Sequence, residues 1–250
     1  MTITNISETP NTDIKPQKPV KEVMDKYIAG IPEGISRRNG MIYLLVGSGG
    51  SGKSSLLLSQ FTKGGAYHKK YHNVYLFVPS ASFHSVQKHP FEKHDKVFHE
   101  LTFDALSQLH DELLDRKNKN IEDEEEPEYN LVIIDDMASD LKDKNILKML
   151  NKMLIKARHL NTGFIFTLQS FLYMPRILRK QVTYATIFRP RTRAEWQTIN
   201  EEILQRDDKD AKKIFDYVFN EPYTHLDIDA FENRIYKNFN ELQITDTDAM

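Results

Sequence analysis

Residues 47–54 read GSGGSGKS, a complete G-x-x-x-x-G-K-[ST] pattern, standing between the apolar run 41–46 (MIYLLV) and the leucines at 56–58. A strand that enters a glycine-rich loop and leaves it as a helix is the context in which this pattern wraps a phosphate chain, and it commits the fold to an α/β architecture. Glycines let backbone N–H groups converge on phosphate oxygens, a lysine neutralises the β- and γ-phosphates, and a hydroxyl ligates Mg²⁺. The cradle is therefore expected to comprise Gly47, Ser48, Gly49, Gly50, Ser51, Gly52, Lys53, Ser54 and Ser55, with Lys53 as the phosphate cation and Ser54 as the Mg²⁺ ligand.

The surrounding chain has room for such a domain. At 250 residues and 40% hydrophobic it can bury one sizeable core. The absence of cysteine excludes disulfides, thiol catalysis and cysteine-ligated zinc, and it suits an intracellular setting. No apolar run approaches the ~18 residues of a membrane span and no signal-peptide core opens the chain, so a soluble, intracellular protein is expected.

Short apolar runs at 41–46, 73–78, 131–134, 163–168 and 184–188 read as strands. Helical periodicity fills 101–114 and 146–160, giving the alternation of a mainly parallel sheet flanked by helices with the loop at the carboxyl end of its first strand. Residues 1–20, polar and without period, are expected to be a disordered tail, with the nucleotide-binding domain over 21–200 and a helical appendage and tail over 201–250. Within the domain, 117–128 (KNKNIEDEEEPE) reads as an exposed acidic loop. In the appendage, 226–239 reads as a small helix packed on the domain or on a neighbouring subunit.

A second chemical signal is NLVIIDD at 130–136, a buried strand ending in two carboxylates. Beside a P-loop, Asp135 is expected to hold Mg²⁺ opposite Ser54, and Asp136 to orient the attacking water. Hydrolytic ring ATPases usually carry Glu at the second position, so Asp136 reaches one methylene less far. The run Thr167-Leu168-Gln169-Ser170 ends the next strand and puts Gln169 where a polar side chain can sense the γ-phosphate. No Asn-Lys-x-Asp guanine-reading motif occurs, which favours ATP.

Taken in order, GSGGSGKS, LVIIDD, ARHLN at 157–161 leading to FIFTLQS at 164–170, and PRILR at 175–179 followed by IFR at 187–189 resemble the poxvirus-type genome-packaging ATPases of large DNA viruses and virophages, in the FtsK/HerA superfamily. The likeness covers about residues 41–196. It implies an additional-strand P-loop ATPase that uses ATP and Mg²⁺ to drive double-stranded DNA into a preformed capsid. It also implies a ring with sites between subunits, contact with capsid proteins, and residence in host cytoplasm or virion. Such a ring needs an arginine donated to the neighbour's γ-phosphate; Arg158, closing the helix before the sensor strand, is the first candidate and Arg189 the second.

Charge is segregated along the chain. Residues 137–193 hold twelve basic and two acidic side chains, against three basic and thirteen acidic over 100–136. Lys142, Lys144, Lys148, Lys152 and Lys156 follow one helical side, and Arg176, Arg179, Lys180, Arg191 and Arg193 sit on connections, a pattern suited to gripping phosphates without reading bases. Six histidines between His68 and His99 repeat no metal-site spacing and are read as surface residues. Two other functions fit the same motifs: a nucleotide or small-molecule kinase, and a non-hydrolysing ATP-binding capsid assembly factor.

Overall fold

The computed structural model describes residues 26–244, so the expected tail at 1–20 lies outside the described residues. All five expected strands are present: β1 (Ile42–Val46), β2 (Asn73–Phe77), β4 (Asn130–Asp135), β5 (Thr162–Leu168) and β6 (Tyr184–Phe188). A two-residue β3 (Val97–Phe98) and an antiparallel group, β7 (His225–Asp229), β8 (Arg234–Lys237) and β9 (Asn240–Glu241), complete a nine-stranded sheet among the described residues. Its order is β3-β2-β4-β5-β1-β6-β7-β8-β9, parallel as far as β6.

The strands read as unbroken apolar runs because both faces of the sheet are covered. In β1, Ile42, Leu44 and Val46 point into one core layer, with Leu106, Leu109 and Leu113 of α3 (Phe103–Glu122) and Leu150, Met153 and Leu154 of α4 (Lys144–Ile155). Tyr43 and Leu45 point the other way, onto Leu57 of α1 (Lys53–Ser59) and Tyr67. Side-chain oxygens start the two long helices: Thr102 accepts from Ala105 N–H and Asp143 from Asn145 and Ile146 N–H. Short helices α2 (Ser80–His84), α5 (Arg176–Arg179) and α6 (Arg193–Ile199) occupy connections, and α7 (Asp208–Val218) follows a π-helical turn at Asn200–Leu204.

Three expectations are corrected. The acidic stretch 117–128 is not wholly loop: α3 runs on to Glu122, because Lys and Glu favour a helix even where hydropathy is low, and Arg116 ties Glu112 within the helix to Glu128 beyond it. The helix expected over 146–160 stops at Ile155, and a turn through Asn161 (φ 46°) reverses the chain into β5. The segment 226–239 is not a helix. Leu226, Ile228, Ile235 and Tyr236 are buried in a hairpin, β7 pairing with β6 on one side and β8 on the other, so among the described residues the expected helical appendage from 201 onward is helical only as far as Val218.

Candidate nucleotide and catalytic site

The parallel strands end at one edge, and the phosphate loop lies there. Gly50 and Gly52 hold φ of 78° and 95°, conformations that glycine adopts without strain. A Cβ on Gly49 or Gly50 would meet nothing within 4 Å, so this side of the loop is open. Gly47 is tightly packed instead, its missing Cβ leaving room for the Ser51 hydroxyl and the Phe188 ring. The buried Ser51 Oγ has no hydrogen-bond partner, and α1 starts at Lys53 with no side chain capping its first N–H groups. Open glycines, orphaned donors and a buried Lys53 form a donor set suited to a polyphosphate.

Topology brings the carboxylates alongside. β5 lies between β1 and β4, so Asp135 and Asp136 reach the same edge as Gly47 with one strand interposed. Thr167 on that inserted strand donates its hydroxyl to the Asp135 carboxylate. Burial pushes the Asp135 pKa up, while the Thr167 hydrogen bond and the Lys53 charge oppose the shift. Asp136 is the first residue beyond the strand, in left-handed backbone (φ 54°), and its N–H donates to the Thr167 carbonyl at 3.2 Å. That turn aims its side chain at Gln169, whose Nε2 donates to Asp136 Oδ2 at 3.0 Å and Oδ1 at 3.2 Å. Lys53, Asp135, Asp136 and Gln169 thus share one edge.

Two further residues belong to this edge. Glu195, 5% exposed, accepts from Ser170 Oγ at 2.6 Å and from Phe171 N–H at 2.7 Å, fixing the backbone that follows Gln169. Its sequence signal is the Thr192-x-x-Glu195 spacing of a helix start, which says nothing of a contact with residue 170. His89 corrects the reading of the histidines as surface residues. It is 8% exposed, its ring centroid lies 4.3 Å from that of Phe83, and burial lowers its pKa against the opposing charge of Asp135.

The arginines separate. Arg189 follows β6 at the phosphate-loop edge and donates to the Phe219 carbonyl at 3.3 Å. Arg158 is exposed at the opposite edge, in the turn after α4, with its Cα 2.6 Å from where a Cβ on Gly40 would stand. The length of β5 puts it roughly 20 Å from Gln169. Of the basic block, Lys142, Lys144, Lys148, Lys152 and Lys156 are exposed, whereas Arg179 is a structural residue, bound to Glu202 at 2.7 and 3.0 Å and to the Met174 carbonyl.

A phosphate loop beside a carboxylate strand, with a polar sensor on the strand inserted between them, defines a P-loop ATPase of the additional-strand class. The family model for the poxvirus A32 protein matches residues 37–218, and the chain belongs to that family. No curated protein matches the chain significantly. Among solved structures it is similar to the DNA-packaging ATPase B204 of Sulfolobus turreted icosahedral virus, with TM-score 0.58, 17% identity, and coverage of 82% of this chain and 98% of that one. It is also similar to the genome-packaging NTPase B204 of Sulfolobus turreted icosahedral virus 2 in complex with AMPPCP, with TM-score 0.53, 19% identity, and coverage of 83% and 100%. A third is the cytoplasmic domain of the type VII secretion ATPase EccC of Thermomonospora curvata, with TM-score 0.52, 16% identity, and coverage of 93% and 30%. By family and fold the chain is a P-loop ATPase of the viral genome-packaging class. Among the described residues, no helix is long and apolar enough to cross a membrane.

Proposed function

We propose that this chain is the ATP-hydrolysing subunit of a ring that drives double-stranded DNA into a preformed capsid. The observation that carries the reading is the Gln169–Asp136 pair, standing beside the Thr167–Asp135 pair at the phosphate-loop edge. In this reading Lys53 neutralises the β- and γ-phosphates of ATP, which lowers the barrier as charge builds on the transferred group. Ser54 and Asp135 are the residues that would hold Mg²⁺, which would supply positive charge to polarise the phosphate oxygens. Asp136 orients the attacking water and Gln169 reports the γ-phosphate.

DNA is gripped through its phosphates. The exposed lysines of α4, with Lys142 and Lys156 at its ends, form the proposed contact surface, and none of them needs to read a base. Arg158 is proposed as the finger given to a neighbour. Because it lies at the edge opposite the phosphate loop, the ring would stack the amino edge of one subunit against the carboxyl edge of the next, a head-to-tail arrangement that closes on itself. Capsid proteins are the proposed docking partners, and host cytoplasm or virion the proposed site of action. The test is steady-state phosphate release with and without duplex DNA. Stimulation by DNA of any sequence is expected; a rate indifferent to DNA would contradict the motor, and transfer of phosphate to a small-molecule acceptor would indicate a kinase.

A further inference from the structure

Two surfaces at opposite edges of the sheet carry opposite charge. Glu122, Asp123, Glu124, Glu125 and Glu126 run consecutively and exposed from the carboxyl end of α3, at the edge where β4 begins. At the other edge, a groove of about 760 Å³ lies between α6 and α7, and Arg189, Arg191, Arg193 and Lys209 stand exposed on its walls. The acids of the groove do not offset them, since Asp216 is paired with Lys212 and Asp208 faces four cations.

Local stability does not account for either set. A helix dipole disfavours carboxylates at its carboxyl end and cations at its amino end, yet acids crowd the end of α3 and Arg193 opens α6. Five adjacent carboxylates also repel one another. Each surface has an apolar centre inside its charged rim, the anatomy of a protein–protein contact. Ile121, 58% exposed, stands with Glu124 and Glu125 on the wall of a cavity completed by His159, Leu160 and Asn161. Across the sheet, Trp196 and Phe215 line the groove with ring centroids 5.1 Å apart, and the Arg189 guanidinium lies 5.6 Å from the Phe215 centroid.

We propose that the acidic lobe at 121–126 of one chain docks in the groove between α6 and α7 of a second copy, and that this contact fixes how neighbours meet in the ring. The proposal rests on the reading of the chain as a ring subunit that donates Arg158. One chain cannot close the contact on itself: the lobe precedes β4 and the groove follows β6, at opposite edges, with β5 and β1 between those strands. Pairing is therefore heterologous and continues from copy to copy. It also delivers the finger. His159, the residue after Arg158, shares the lobe's cavity, while Arg189 and Arg191 of the groove stand in one cavity wall with Ser48, Gly50 and Ser51 of the phosphate loop. A seated lobe thus carries Arg158 towards the neighbour's phosphates.

The test is sedimentation velocity of the full chain with Mg²⁺ and a non-hydrolysable ATP analogue, on wild type and three charge-reversed variants whose folding is checked by thermal melts. The first carries Glu124→Lys, Glu125→Lys and Glu126→Lys, the second Arg191→Glu, Arg193→Glu and Lys209→Glu, and the third all six. Wild type is expected to assemble, and to come apart as salt screens the contact. Each single-surface variant is expected to need at least about 10-fold more protein to assemble, with its melt preserved because the reversed charges suit the helix ends. The combined variant, with attraction restored in the opposite sense, is expected to assemble near the wild-type concentration, a recovery that damage to the fold would not give. Assembly unaltered in both single-surface variants, assembly of wild type indifferent to salt, or no recovery in the combined variant would each overturn the docking while the ring stands. Duplex binding lost in the second variant with assembly intact would overturn it too, making the groove a nucleic-acid surface. A wild type that stays monomeric with nucleotide and duplex would remove the ring reading, and the docking with it.

Discussion

Gln169 donates one amide to both carboxylate oxygens of Asp136, at 3.0 and 3.2 Å, across the ends of two adjacent parallel strands. The pair ties the residue that would sense a γ-phosphate to the residue that would orient water. In the proposed reading, arrival or loss of the phosphate would reach the carboxylate directly through this pair.

That relationship divides the labour between the paired acids. Asp136→Asn is expected to bind Mg-ATP normally and to hydrolyse it roughly 10²-fold more slowly, whereas Asp135→Asn weakens Mg²⁺-dependent binding itself. Nucleotide affinity measured with and without Mg²⁺, alongside single-turnover hydrolysis, separates the two. Equal binding defects in both variants would remove the assignment.

The basic block divides in the same way, into surface and scaffold. Lys148→Glu with Lys152→Glu is expected to lower the log–log salt slope of duplex binding by about 0.9 for each phosphate no longer neutralised, with little change in melting temperature. Arg179→Ala instead leaves the Glu202 carboxylate without its bidentate partner and is expected to cost about 2 kcal/mol of stability. Binding titrations over a salt series, paired with thermal melts, check both; a salt slope untouched by the lysine changes would make α4 a solvated face only.

How much of this was open to reading from sequence depends on where each signal resides. The phosphate loop, the carboxylate strand and Gln169 sit at ends of central parallel strands, where buried runs such as LVII are unmistakable and topology alone brings their ends together. Glu195 reaches the same edge through tertiary packing from 25 residues away, and no local pattern announces it. The hairpin at 226–239 misled because Phe231, Ile235 and Phe239 recur every four residues like a helical stripe. The period-two alternation of Leu226 and Ile228 was present, but the intervening Asp227 is itself buried, bound by Thr186, His225 and the Phe239 N–H. The polar positions of His225-Leu226-Asp227-Ile228-Asp229 were there to be read, and the four-residue recurrence outweighed them.

A trans-acting finger makes a prediction about mixtures. Arg158→Ala and Lys53→Ala are each expected to be inactive, one lacking the finger and the other the cradle. Mixed under subunit exchange, an Arg158→Ala cradle can receive the arginine of a Lys53→Ala neighbour, and phosphate release should return. Continued inactivity despite demonstrated co-assembly would argue against donation by Arg158, and the same mixture made with Arg189→Ala tests the arginine that already lies at the phosphate-loop edge.

Buried phenols set an alkaline limit on the fold. Burial raises the pKa of Tyr43, Tyr67 and Tyr184 above the ordinary value of 10.0. A phenol with a raised folded-state pKa contributes stability that is complete below its unfolded pKa and is lost as pH climbs from there towards the folded value. Stability is therefore expected to hold up to about pH 10 and then to fall, with these three phenols alone contributing roughly 4 kcal/mol per pH unit as they ionise only in the unfolded chain, and the raised phenols of Tyr71 and Tyr75 adding to that slope. Denaturant midpoints across an alkaline series measure the slope, and phenolate absorbance of the buried set should rise together with loss of circular dichroism. Full phenolate absorbance in a still-folded chain would contradict the burial.

Motion along DNA is the central claim, and displacement of a third strand from a triplex measures it most directly. A subunit ring that moves along duplex strips the bound third strand, which then registers as a fluorescence change. The account predicts displacement by wild type that requires ATP, is indifferent to the sequence of the flanking duplex, and is abolished in Lys53→Ala. DNA-stimulated hydrolysis without any strand displacement, on duplex long enough to load a ring, would contradict it.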